Sequence, residues 1–245
     1  MKKVAIVGCS QSKNLAPFAD ESFEVWGVNN LYPHIPRATR WFEIHEITKD
    51  GDTYLRRGDK AFRGQPVNDY LKEMGAWAQK NNCPVYMQQA WDMVPTATVY
   101  PLAEVLGTFG GYFTNTVSYM IALAIHEGFE EIHVYGVDMA VDSEYHHQRP
   151  SCEYFLGVAV GRGIKIHVPA EADLLKTRFL YGFQEPQKSA WDKKLKMMTQ
   201  TISEKEHRIQ KEISDLNAQV KVRESQLQQY AGARHALQES NKIWS

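Results

Sequence analysis

Short apolar runs recur along the first three-quarters of the chain, and each stops at a small or polar residue. The runs 3–7 (KVAIV), 23–28 (FEVWGV), 40–44 (RWFEI), 84–87, 131–135 (EIHVY) and 165–168 end at Gly8, Asn29-Asn30, His45-Glu46, Gln88-Gln89, Gly136-Val137-Asp138 and Pro169. Short, largely apolar runs of this length read as buried strands, as in a parallel sheet. Between them apolar residues fall at helical spacing. Residues 67–81 carry Tyr70, Leu71, Met74, Trp77 and Ala78; residues 115–127 carry Val117, Met120, Ile121, Ala124 and Ile125, with Gly128 where a helix stops; residues 153–161 form a third helical stretch. Strands alternating with helices predict an α/β fold over residues 1–186: a Rossmann-like, mainly parallel sheet with helices on both faces.

After Pro186 the pattern changes. All 10 prolines and 15 of the 16 glycines precede this point, and only Gly232 follows. Leu195, Ile202, Ile209, Leu216, Arg223, Tyr230 and Leu237 recur every seven residues, and Ile213, Val220, Leu227 and Arg234 recur four positions after members of that series. This predicts a C-terminal helical coiled coil over residues 187–245 that makes the protein a homo-oligomer. Polar Thr199 and Glu206 weaken its upstream half. The alternatives are a helix folded onto its own domain, or a hairpin turning at Ala231-Gly232-Ala233.

Composition narrows the classes further. The 245 residues are 43% hydrophobic and 23% charged, with 28 Lys+Arg against 29 Asp+Glu, which excludes a disordered or collagen-like chain. No run of 18 apolar residues predicts a membrane span, and the apolar run after the basic start MKK is too short for a signal-peptide core. Cys9, Cys83 and Cys152 stand far apart, with no CxxC, so neither a disulfide framework nor a zinc site is expected, and the expected compartment is a reducing cytoplasm. The tail has 11 Lys+Arg, but 7 Asp+Glu are interleaved with them, so nucleic acid is not the expected partner.

In doubly wound folds ligands bind beyond the carboxyl ends of the strands. Here five such ends are polar, which points to a polar cleft. Gly8-Cys9-Ser10-Gln11-Ser12 lacks both GxGxxG and the Lys of a Walker A loop, yet Gly8 and the Ser10 and Ser12 hydroxyls suit a phosphate. Asn29 and Asn30 suit a base or ribose. His45 suits acid–base work, with Glu46 pointing the opposite way. Residues 114–118 (TNTVS) read as a helix cap with an anion site, approached by a flexible loop at 107–114 (GTFGGYFT). Asp138 is followed by Tyr145, His146, His147 and Arg149, read as a loop whose histidines move protons and whose Tyr145 and Arg149 meet phosphate oxygens. No metal-ligand spacing links Asp138 to those histidines, so no metal is expected. Residues 50–65, with Arg56, Arg57, Lys60 and Arg63, read as a lid over an anion. Each feature also has a plain reading: a tight turn, a cap without ligand, a surface histidine, a solvated loop.

Two stretches resemble known families. Residues 8–12 with 25–29 (VWGVN) resemble the G-x-G-P-S … N opening of glycosyltransferase family 42, the bacterial sialyltransferases, and of the MptE-like proteins. Residues 116–138 (TVSYMIALAIHEGFEEIHVYGVD) resemble the T-S-x-x-x-M-x-x-A-I-x-x-G-[FY]-x-E-I-x-[LV]-x-G-[IV]-D pattern of the same families, as they do in many uncharacterised phage proteins. The resemblance implies a nucleotide over the sheet, with Gly8, Ser10 and Ser12 near phosphate, Asn29 near the reactive centre, Thr116 and Ser118 near base or ribose, and Gly136 and Asp138 shaping the pocket. It also implies Tyr145 near the donor phosphate and His146 or His147 as base.

The expected function is a nucleotide- or nucleotide-sugar-dependent transferase with a small-molecule nucleotide ligand, no required cofactor, and His146, His147 or His45 as the catalytic base. Two alternatives compete: a non-catalytic nucleotide-binding or sequestering protein of phage counter-defence, acting in the host cytoplasm, and a coiled-coil assembly protein carrying a decayed Rossmann-like domain.

Overall fold

The computed structural model describes residues 1–137, 143–177, 181–182 and 188–244, with the backbone alone for 143–146, 188–191, 193–194 and 239–244. It divides into two compact units, Met1–Lys194 and Leu195–Ser245.

The first unit is built on seven parallel strands. β1 (Lys3–Val7), β2 (Phe23–Val28) and β3 (Arg40–Glu43) follow one another across the sheet. Two small antiparallel hairpins come next, β4 (Ile47–Asp50) with β5 (Thr53–Arg56) and β6 (Ala61–Phe62) with β7 (Gln65–Pro66). Helix α1 (Val67–Lys80) leads to β8 (Val85–Met87) and β9 (Ala97–Val99), which complete one edge. After α2 (Leu102–Phe109) and α3 (Thr116–His126) the chain returns to the other side of β1 with β10 (Glu131–Tyr135), α4 (Ser143–Gly161) and β11 (Lys165–His167). The strand order is therefore β11-β10-β1-β2-β3-β8-β9, and the winding reverses between β1 and β10.

Alternation along the strands feeds two cores. Val4, Ile6, Trp26, Phe42, Ile132 and Val134 face α3 and α4, whereas Ala5, Val7, Val25, Trp41 and Val85 face α1. Helices thus cover both faces, which is why the strands read as largely apolar runs. α1 buries Val67, Tyr70, Leu71, Met74 and Ala78 on one stripe, carries Asp69 in its first turn and Lys80 in its last, and is stopped by Asn82 in the left-handed conformation (φ +49°).

Six strands and three helices fall where the pattern places them. β9 was not expected: it is a three-residue edge strand with Val99 exposed, too short to carry a pattern. Residues 50–65 are hairpins rather than one polar loop, and 107–109 belong to α2 rather than to a flexible approach. Residues 145–149, expected as a loop, lie in α4, which starts at Ser143 and runs through Pro150. Among the described residues no helix is long and apolar enough to cross a membrane.

The second unit holds most of α5 (Lys188–Trp244), 57 residues of continuous helix. Gly232 lies inside it, so the chain does not turn at 231–233. Its heptad residues are exposed, for example Ile209 at 54% and Leu216 at 59%.

Candidate functional site

The strand ends around the reversal point enclose a cleft of about 660 Å³. Its floor is set by the approach of β1 to β10. The Gly8 amide donates to the Tyr135 carbonyl at 2.8 Å and the Ser10 amide to the Gly136 carbonyl at 2.9 Å. A Cβ at Gly8 would lie 2.4 Å from the Gly136 oxygen, and one at Gly136 (φ +66°) would lie 2.3 Å from the Gly8 oxygen. Only two glycines allow this contact. Ser12 is buried, and its Oγ accepts from the Gly136 amide at 2.8 Å. The turn after β1 therefore ties the two strands together with groups the sequence reading assigned to phosphate. Gly8, Cys9 and Ser10 still line the cleft; Ser12 does not.

One wall is a buried charged network. Glu43 ends β3 on the α1 side and is fully buried. Its Oε1 lies 2.6 Å from His45 Nδ1 and 3.3 Å from Arg56 Nε, while its Oε2 accepts from the Tyr70 hydroxyl at 2.5 Å. Burial pushes the Glu43 carboxyl up, but the His45 hydrogen bond, Arg56 and Tyr70 outweigh it and hold the group below the usual carboxylate range. Burial, with Glu43 beside it, pushes the Tyr70 hydroxyl well above its ordinary value. The Arg56 guanidinium lies 3.8 Å from the centre of the Phe62 ring. His45 Nδ1 also lies 2.6 Å from an Arg56 terminal nitrogen. With its proton on Nδ1 the ring donates to Glu43 and Nε2 keeps a lone pair. With its proton on Nε2, Nδ1 accepts from Arg56.

Asn29 follows β2, the strand beside β3, and also lines the cleft. It adopts a left-handed φ of +51°, and its buried Oδ1 has no hydrogen-bond partner among the described residues. Its carbonyl accepts from the Trp41 indole at 2.9 Å, which fixes the turn. The residue thus combines a sparsely populated backbone conformation with a buried polar atom that lacks a partner among the described residues.

The third element is the start of α3. Asn115 caps it: Oδ1 accepts from the Ser118 amide at 2.9 Å, and Ser118 Oγ donates to the Asn115 carbonyl at 2.7 Å. Asn115 Nδ2 donates to the Gln148 carbonyl at 2.8 Å, and the Thr114 hydroxyl meets Ser151 Oγ at 2.6 Å, which anchors α4 here. The cap uses the Ser118 amide and leaves those of Thr116 and Val117, both lining residues, at the helix's positive end. Phe113 and Tyr119 stack at 4.3 Å between ring centroids beside them.

The charge of the lining is one-sided. Arg56, Arg57, Arg63 and His45 contribute to it, and no Asp or Glu does among the described residues. Arg57 (φ +53°) and Arg63 (φ +52°) are both left-handed and exposed. Across the cleft, burial raises the Cys9 thiol while Arg63 and Lys13 pull it down. Burial pushes Cys83 up to about 12, and burial, with the Glu153 charge and against the Asn115 hydrogen bond, pushes Cys152 up to about 12, leaving Cys9 as the exposed cysteine.

The cleft thus gathers Gly8, Ser10, Asn29, His45, Thr116 and Gly136 of the residues expected from sequence. Ser12 and Ser118 are buried structural groups beneath it. Asn30 is half-buried outside the lining. His147 is exposed on α4 and does not line it. Arg149 is drawn away by Glu153 (2.7 Å) and the Lys176 carbonyl (3.0 Å). Asp138 and the side chains of Tyr145 and His146 lie outside the described residues. Glu43 and Tyr70 were missed. Glu43 sits inside an apolar strand, and a charge at a both-faces-buried position was the signal that would have found it.

No protein-family model matches the chain, and no curated protein matches it. Among solved structures it resembles the sialyltransferase CstII from Campylobacter jejuni in complex with CMP-3FNeuAc, at 15% identity and a TM-score of 0.44 over 69% of this chain and 80% of that one. It resembles the same enzyme with cytidine-5'-monophosphate at 17% identity and a TM-score of 0.43 over 69% and 79%. Neither neighbour is an MptE-like or a phage protein.

Proposed function

We propose that the cleft binds a nucleotide through its phosphate and serves a nucleotide-sugar-dependent glycosyl transfer. The observation that carries this reading is the lining: three arginines and a histidine with no carboxylate among the described residues, beside the amide end of α3. Such a surface favours an anion. The Phe113–Tyr119 pair offers an apolar face for a base. The sequence resemblance to family 42 supplies the group transferred, a glycosyl unit.

In this reaction the acceptor oxygen bonds to the anomeric carbon as the bond from that carbon to the phosphate oxygen breaks. His45 Nε2 takes the acceptor proton. Glu43, buried behind the ring, holds its orientation through Nδ1 and stabilises the imidazolium, which makes it a positioning residue. Negative charge passes to the departing nucleotide phosphate, where Arg57, Arg63 and the Thr116 and Val117 amides receive it. Asn29 lines the same cleft at the end of β2. His45 replaces His146 and His147 as the first candidate base because it lines the cleft.

One observation favours a second reading. If His45 Nδ1 accepts from Arg56, Nε2 carries the proton and the ring is an anion donor rather than a base. The cleft is then a nucleotide-sequestering site. Incubation with a panel of nucleotide sugars and simple acceptor glycosides separates the two. Release of free nucleotide that falls roughly 10²–10⁴-fold in His45→Ala supports transfer. Tight nucleotide binding with no release supports sequestration. Absence of both overturns the reading.

A further inference from the structure

The candidate lies in the second unit and is independent of the cleft. Along α5, Ile202, Ile209, Ile213, Leu216, Val220 and Leu227 are between 52% and 68% exposed. They keep a strict seven-residue repeat. On a straight α-helix such a stripe drifts by about 20° per heptad, so a flat partner surface would lose it. Only a helix that supercoils around α5 follows the whole stripe, and the helix here with that repeat is α5 itself.

Two charged residues within the stretch 202–227 decide how the copies run. Glu206 lies one heptad before Ile213, and Arg223 lies one heptad after Leu216. In a parallel, in-register pair every seam residue meets its own copy, so Glu206 faces the partner's Glu206 and Arg223 faces the partner's Arg223. Both layers bury like charges, which is unfavourable away from water. Running the second helix antiparallel about an axis between Ser214 and Asp215 removes the conflict. Ile209 then faces the partner's Val220, Ile213 the partner's Leu216, and Ile202 the partner's Leu227. In the same register Glu206 faces the partner's Arg223, and symmetry repeats that layer. Between residues 202 and 227 this alignment keeps the apolar layers matched and pairs both charges; beyond them Arg234 falls opposite the partner's Leu195, at the end of the seam.

We propose that α5 is the self-association element of the protein, an antiparallel two-stranded coiled coil with a second copy of this chain in this register. Charged seam positions of this kind cost stability and fix orientation.

The test uses the full chain with Cys9→Ser to remove the exposed thiol. Light scattering should give twice the chain mass of 28.1 kDa. Ile202→Cys with Leu227→Cys should form a covalent dimer on mild oxidation. Neither single cysteine should do so, because each lies about 37 Å from its own copy in the antiparallel pair. Glu206→Arg or Arg223→Glu alone should weaken dimerisation about tenfold, some 1.4 kcal/mol. The two together should restore it. A monomer, a covalent dimer from either single cysteine, or a double charge variant as weak as the singles would each overturn the proposal.

Discussion

The two ends of the central sheet handle charge in opposite ways. At the amino ends, Arg40 lies 2.9 Å from Glu24 and 2.6 Å from Glu127, Lys2 reaches Glu127 at 3.3 Å, and Lys3 reaches Glu131 at 3.9 Å. Each of these cations has a carboxylate. Burial raises the Glu127 carboxyl, but Arg40 and Lys2 outweigh it and hold the group below its usual range. At the carboxyl ends Glu43 pairs with Arg56, while Arg57 and Arg63 form no ion pair among the described residues. The first arrangement is closed and holds the fold. The second has cationic capacity left over, in a concave place, beside two amides and an orphaned carboxamide oxygen. Only β3 carries members of both sets, Arg40 and Glu43; the arginines of the second set come from the hairpins that follow it.

The sharpest way to break this comparison is to remove one carboxylate from each end. Glu43→Ala strands Arg56, which is only 8% exposed, and should cost about 3–5 kcal/mol in urea unfolding. Glu24→Ala leaves Arg40 its Glu127 partner but frees the buried Trp26 indole donor, and should cost less, about 1–3 kcal/mol. Equal losses would mean that the buried network is not distinct. Next in size is the floor of the cleft. Gly8→Ala drives a Cβ into the Gly136 carbonyl and should cost about 1–3 kcal/mol, seen as a lowered urea midpoint with unchanged slope.

Acid titration sharpens the contrast further. Glu43 and Glu127 are both depressed in the fold, so their contribution to stability is present above the ordinary carboxylate pKa and is lost as pH falls through their folded values. Glu43→Gln should flatten the acid limb of the stability–pH curve. An unchanged limb would show that Glu43 is not ionised in the fold. The smallest stability effect belongs to the unpaired cations. Arg57→Ala and Arg63→Ala should each change unfolding by no more than about 0.5 kcal/mol. Each should nevertheless weaken nucleotide affinity about tenfold, the loss of one charge-assisted contact.

The sheet was legible because burial on both faces writes short, largely apolar runs such as 3–7 and 23–28; the strand order, and with it the winding reversal, comes from the pairing of β1 with β10. The hairpins of 47–66 were not legible. Their strands are two to four residues long, and their order comes from packing: Tyr54 against Trp91 at 5.2 Å, Phe62 against Tyr70 at 5.1 Å. Half the site was readable because it lies at strand ends and a helix start, where Gly8, Asn29, His45 and Thr116 announce themselves. The other half depends on long-range pairing. Nothing local says that Glu43 reaches Arg56 and Tyr70, or that Ser12 turns inward to hold Gly136 while Arg149 turns aside to Glu153. The charge pattern of α5 was visible in the sequence, yet its meaning depended on one continuous helix running past Gly232.

With Arg57 and Arg63 in no ion pair among the described residues, the carboxyl end of the sheet should act as an open anion site. Titration calorimetry with CMP, UMP, AMP and their sugar conjugates, on the native chain and on the Arg57→Ala/Arg63→Ala double variant, tests it most directly. The native chain should bind at least one nucleotide saturably, with about 2.7 kcal/mol of stabilisation at 100 times its dissociation constant, and the double variant should lose that binding while remaining folded. No binding of any nucleotide at millimolar concentration, or undiminished binding by the double variant, would contradict it.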